Sequence, residues 1–170
     1  MLQMNIEYSA LENFLKDLQN AKESWKKDLE LFLEGVGMEF LKIVQNEIIT
    51  KKVVDTRLLL NSFQKGGANN IFENKAENLT ITVGTNVKYA SYVNDGHWTN
   101  PKGTEYRWIP GVWSGDIFTY MPGAKTGMML KQQWVEGRHY WESAIQIMEQ
   151  MLPGMMEKLV DKWMSKEFGI

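Results

Sequence analysis

From Leu11 to Ile48 an apolar residue returns at every third or fourth position, through Phe14, Leu18, Ala21, Trp25, Leu29, Phe32, Val36, Phe40 and Val44. Only an α-helix gathers residues so spaced onto one side, so the pattern predicts a long amphipathic helix ending near Thr50. Ser9-Ala-Leu-Glu12 at its start has the spacing of a capping box, in which the hydroxyl and the carboxylate each satisfy a backbone N–H that the helix end leaves free. Glu12 with Lys16, and Glu23 with Lys27, are favourable pairs one turn apart on the other side. Gly35 and Gly37 each cost about 1 kcal/mol relative to Ala, which predicts a bend or break in the middle. The ordinary role of such a stripe is to pack a core, and the alternative is a stripe shared with neighbouring subunits. A second helical pattern fills residues 138–168 through Trp141, Ile145, Met148, Leu152, Met156, Leu159 and Trp163. Pro153-Gly154 interrupts it, and because proline removes a donor and crowds the preceding turn, a kink or two helices end to end are expected.

Between the helices the pattern changes. Asp55 or Thr56 is placed to cap a short helix from Leu58 to Phe63, and Lys65-Gly-Gly-Ala-Asn-Asn70 reads as a turn. Leu79-Thr-Ile-Thr-Val83 alternates with period two, Gly84-Thr-Asn86 has turn chemistry, and residues 87–93 are rich in β-branched and aromatic side chains. These two segments predict an antiparallel hairpin. From Asn94 to Gly137 the composition shifts to Gly, Pro, Trp and Tyr, with strand-like pieces at 106–109 and 117–121. Long, weakly patterned inserts are functional or disordered, and rings argue against disorder. The expected fold class is α+β: a small twisted antiparallel β-sheet packed against a long N-terminal helix and a kinked C-terminal helix, with a long aromatic-rich insert. The expected organisation is a single domain over 1–170, with a helical arm at 1–52, the sheet and insert at 53–136, and the C-terminal helix at 137–170.

A chain of 170 residues is one domain's worth. Nineteen Lys and Arg against 21 Asp and Glu leave no global positive field to hold phosphates, which argues against a nucleic-acid binder. The absence of cysteine removes disulfides and thiolate chemistry and suits a reducing cytoplasm. No basic region followed by an apolar core opens the chain, and no apolar run nears the ~20 residues that span a bilayer, so a soluble protein without a signal peptide is expected. Seven Trp, six Tyr, seven Phe and 11 Met exceed what one small core uses and point to assembly.

Signals for catalysis are few. His97 and His139 are the only histidines, and neither has a second His or Cys at metal-ligand spacing. A site built from Asp95, His97 and His139 is conceivable. In the ordinary reading His97 follows a turn at Asp95-Gly96 and His139 lies in the first turn of the last helix. Nucleophile-elbow, zincin and phosphate-loop motifs are missing, so no catalytic, cofactor-binding or metal residue is assigned and an enzyme is not expected. The strongest local signal is the set Trp98, Trp108, Trp113, Tyr120 and Trp134, joined by Tyr106. Rings among Gly and Pro serve a local core, a protein contact or a sugar-binding loop, and all three readings stay open.

Three segments carry a family likeness: Val54-Asp-Thr-Arg-Leu-Leu-Leu-Asn-Ser-Phe63, Val83-Gly-Thr-Asn86, and Tyr89-Ala-Ser-Tyr-Val-Asn-Asp-Gly-His97. Together they resemble the tail-completion or tail-to-head joining proteins of long-tailed bacteriophages, the gene-product-ten-like family. Asp55, Thr56, Leu58, Ser62, Gly84, Thr85, Tyr89, Ala90, Val93, Gly96 and His97 carry the likeness. It covers residues 53–97 and continues weakly over 137–163, where Gly137 precedes Tyr140 and Ala144 in a recurring helix start. Arg57 departs from the pattern where Gly is common, and Leu60 where Arg or Lys is common. The resemblance implies a virion structural protein of the phage neck, assembled in the host bacterial cytoplasm, without cofactor or membrane attachment. It implies a ring of six copies between head connector and tail. The implied partners are other copies of itself, a head-side connector or closure protein, and a tail terminator or tail tube protein; genome DNA would pass through the channel without sequence-specific binding. A head-closure or minor capsid protein is the neighbouring alternative, and a Trp-lined carbohydrate-binding module is the alternative of another class.

Overall fold

The computed structural model describes residues 8–53, 57–75, 78 and 80–169, without the side chains of residues 8–15, 17 and 18. The protein is α+β, and its chain forms two compact units, residues 88–140 and the remainder.

In the larger unit, helix α1 (Tyr8–Thr50) runs antiparallel to helix α4 (Tyr140–Phe168). Phe40 meets Trp141 edge-on at 5.1 Å, and Trp25 meets Trp163 at 5.0 Å towards the other end. Lys166 bridges to Asp28, and Lys51 donates to the Ser143 hydroxyl over 2.7 Å. Val44, Ile48 and Ala144 are fully enclosed, as is nearly all of Phe63, so the apolar stripe of α1 forms a core here. Ser9 and Glu12, the expected capping box, fall inside the assigned helix, and their side chains lie outside the described residues.

No break occurs at Gly35 or Gly37, for α1 is continuous through both. The reason lies in what rests on it. Strands β1 (Asn70–Lys75) and β2 (Thr80–Thr85) form an antiparallel hairpin whose rings and branched chains come so close that a Cβ on Gly37 would stand 2.8 Å from both Ile81 Cγ1 and Phe72 Cε2. Asn74 ties the same hairpin to the Glu30 carbonyl at 3.0 Å. Gly37 thus admits a sheet and does not interrupt a helix. Likewise α4 is one helix through Pro153 and not two end to end; Pro153 is exposed, so water can replace the lost hydrogen bond.

The expected hairpin of 79–83 with 87–93 does not form. The partner of β2 is the upstream β1, with Phe72 opposite Val83, and residues 90–95 make a short helix, α3 (Ala90–Asp95). Ala90 and Asn94 are the buried positions of this helix, and their spacing of four places them on one side of it. The β-propensity of Tyr and Val here loses to the packing of one helical face. β1 escaped notice because Asn70, Glu73, Asn74 and Lys75 are poor strand formers around Ile71 and Phe72.

Helix α2 (Leu58–Ser62) has the expected extent to within one residue. At its N-cap stands Arg57, with no side-chain capping bond, while Asp55 and Thr56 lie outside the described residues. Arg57 has φ of 62°, the left-handed region that glycine occupies most easily, so the arginine sits where a Gly would cost less. The leucine that α2 buries is Leu59, and Leu58 is exposed.

The smaller unit is closed at its base by β3 (Gly96–Trp98) and β7 (Trp134–Glu136), antiparallel, with Trp98 opposite Trp134. Gly96 has φ of 87°, and a Cβ there would lie 2.6 Å from Trp134 and 2.7 Å from the Val135 carbonyl, so only glycine fits. Beyond the base, β4 (Tyr106–Ser114) is the centre of a three-stranded antiparallel sheet with β5 (Ile117–Tyr120) and β6 (Gly127–Lys131) at its edges. Buried Asn100 joins base to sheet by donating to the Leu130 carbonyl over 2.9 Å, while the Thr99 N–H donates to the Gln133 carbonyl. His139 stands just before α4 with φ of 48°, not in its first turn, and its N–H donates to the Asn94 carbonyl. The sequence-derived strands at 106–109 and 117–121 are present; β4 extends further, and β3, β6 and β7 were not foreseen.

Candidate functional site

Several of the described family-motif residues tie the backbone together. The Ser62 hydroxyl, buried at the end of α2, donates to the Leu59 carbonyl and accepts from the Thr85 hydroxyl, each over 2.7 Å. Thr85 at the end of β2 accepts in turn from the Val87 N–H at 3.1 Å. Asn70 donates to the carbonyls of Ser62 and, at 3.4 Å, Gly84. In this way the first two motif segments are tied together.

The third segment organises the start of the smaller unit. Tyr89 is the N-cap of α3, the Ala90 carbonyl accepts from the buried Tyr140 hydroxyl at 3.2 Å, and the Val93 carbonyl accepts from the Arg138 N–H at 2.9 Å. His97 places Nδ1 at 3.3 Å from the Tyr92 carbonyl and pairs in the ladder with Val135. Among the described residues no group of three His, Cys, Asp or Glu could hold a metal ion.

The candidate interface residues are different in kind. Trp98, Trp108, Trp113, Tyr120 and Trp134 all lie in the smaller unit, each between 46 and 62 % exposed. That exposure counts against the reading in which they close a local core. Pleating sends alternate residues of β4 to opposite sides. Trp108 stands opposite Met129 and shares its side with Tyr106; Trp113 stands opposite Phe118, 5.1 Å ring to ring, on the other. Both sides of the thin sheet therefore present large apolar groups to solvent. Around Ile109, Phe118, Tyr120 and Met128, with Arg107 at its margin, the second side is hollowed by about 530 Å³.

A further hollow of about 530 Å³ lies at the base, bordered by Tyr92, His97, Trp98, Asn100 and Trp134. Trp98 and Trp134 meet there edge to face, 5.4 Å apart, and the Trp134 indole donates to Glu136 over 2.9 Å. Such groups act by burying area and stacking rather than by moving protons. Arg107, Ile117 and Met129 join the surface without having been singled out from the sequence. The apolar run Met128-Met-Leu130 just after Gly127 was the available sign of the strand that carries part of it.

Comparison with known proteins bears on what the surface serves. Residues 12–96 match the family described as "Bacteriophage HK97-gp10, putative tail-component". The chain is 47 % identical over 162 residues to the uncharacterized protein YqbI of Bacillus subtilis strain 168, covering 93 % of this chain and 97 % of that one. It is 39 % identical over 146 residues to the phage-like element PBSX protein XkdI of the same strain, covering 86 % of this chain and 89 % of that one. No solved structure matches. The family match stops at Gly96, where β3 begins, whereas the likeness to YqbI spans too much of the chain to omit the insert. No helix among the described residues is long and apolar enough to cross a membrane. With its α+β fold, its motif segments bonded to one another and these matches, the chain belongs to the HK97-gp10-like family of bacteriophage tail components.

Proposed function

We propose that the protein is a structural subunit of the phage neck, a tail-completion or head–tail joining component that assembles as a ring, and that its work is binding and not turnover. The observation that carries this reading is that Trp108 and Trp113 stand half-exposed on opposite sides of a sheet only three strands wide, beside the half-exposed Trp98 and Trp134 of the two-stranded base. Monomeric soluble proteins rarely leave such rings uncovered, and Trp and Tyr are the residues most often found as interface anchors. A closed ring requires two different complementary patches on each subunit, and membership of a tail-component family supports contact with other tail proteins. The near-neutral charge suits a channel through which DNA passes without being clamped.

Particles assembled without the protein should accumulate as filled heads and free tails that fail to join. A head-closure or minor capsid role would instead leave heads that lose their DNA. Infectious particles at normal yield would rule out a joining role. The hollow between Trp98 and Trp134 favours one second reading, sugar binding, which predicts signal on a glycan array that Trp98→Ala abolishes.

A further inference from the structure

The smaller unit and the remainder of the chain differ in charge. Residues 88–140 hold six Lys and Arg against four Asp and Glu, a net of +2, while the rest holds thirteen against seventeen, a net of −4. On the open sheet the exposed cation Lys131 stands opposite Tyr106, on the same side as Trp108 and Met129, while exposed Arg107 lies on the other side. On α4, Ile145, Met156 and Val160 are exposed hydrophobics that fall on one side of the helix at a repeat of ~3.6 residues. Glu149 lies on that side between them, and exposed Glu157 adjoins it.

We infer that the Trp108 side of the β5–β4–β6 sheet of one copy seats on this acid-edged stripe of α4 in a second copy. The inference rests on the reading of the protein as a self-assembling ring subunit. Opposite charges favour sheet against α4 over sheet against sheet, because like-charged surfaces repel and misalign on approach. The apolar stripe gives the rings surface to bury against, and Lys131 beside them meets the carboxylates of its margin. Two different patches in contact repeat from copy to copy, as a ring demands, whereas a self-complementary contact between two sheets stops at a dimer.

The chain has no cysteine, so single cysteines report cleanly. Ile117→Cys on β5 and Val160→Cys on α4 both replace exposed side chains. A bis-maleimide reagent is applied to each variant alone and to their mixture, both as concentrated purified protein and on assembled tails. Seating of sheet on α4 predicts a cross-linked dimer from the mixture, well above either variant alone, and Trp108→Ala should weaken the association about thirtyfold. A dominant 117-to-117 or 160-to-160 product, or no cross-link in either preparation, overturns the inference. Loss of joining in particles lacking the protein is read separately, so the neck reading can stand where this contact fails.

Discussion

The hydroxyl of Thr85 donates to the hydroxyl of Ser62 over 2.7 Å, joining two motif segments 23 residues apart in the chain. Ser62 is 3 % exposed and Thr85 half-buried, so the Ser62 hydroxyl cannot turn to water once its partner is removed. Ser62→Ala or Thr85→Val is therefore expected to cost about 1–3 kcal/mol of stability, while the double variant costs less than the sum of the two. Denaturant titration of the four proteins measures this. Additive losses would show that the pair is not coupled.

Gly37 and Gly35 should respond in opposite ways to the same substitution. A Cβ at Gly37 would meet Ile81 and Phe72 at 2.8 Å, whereas one at Gly35 would meet nothing within 4 Å. Gly35→Ala is expected to stabilise by about 0.5–1 kcal/mol through helix propensity. Gly37→Ala should destabilise by about 1–3 kcal/mol, because the hairpin must move off α1. Thermal unfolding of the two variants gives the comparison.

Lys166 clasps α4 to α1. Its hydrogen bond to Asp28, helped by Glu167, raises its ammonium above the ordinary lysine value, although partial desolvation works the other way. A raised folded pKa means that the stabilisation is fully present below the unfolded value of about 10.4 and disappears as pH climbs through the folded one. The stability difference between the wild type and Lys166→Gln should thus be constant near neutrality and shrink in strongly alkaline solution. A difference that grows with pH would contradict the assignment.

The helices were legible because their signal is periodic and long. From Leu11 to Ile48 the stripe sets both the type of element and the face that it buries. What the sequence concealed was short and tertiary. Tyr89 to Val93 has strand-forming residues yet coils into α3, since burying Ala90 and Asn94 on one side outweighs local preference. Gly37 looked like a flaw in a helix because the hairpin that needs its missing side chain lies more than thirty residues away. The aromatic surface could be seen as a cluster of Trp and Tyr. Its two-sided exposure could not, because that depends on β4 being flanked by strands that leave Trp108 and Trp113 half-exposed on opposite sides.

The central claim is that the exposed rings of the smaller unit join the protein to neighbours in the phage neck, and the double variant Trp108→Ala, Trp113→Ala tests it most directly. Each ring is a half-exposed anchor, one on either side of β4, and truncating such an anchor at an interface typically costs about 2 kcal/mol or more, roughly a thirtyfold loss of affinity. Electron microscopy of lysates from phage carrying the variant should show a folded subunit left out of the particles, with filled heads and free tails accumulating apart. Complete infectious particles at normal yield, or a subunit that unfolds when the rings are removed, would contradict the account.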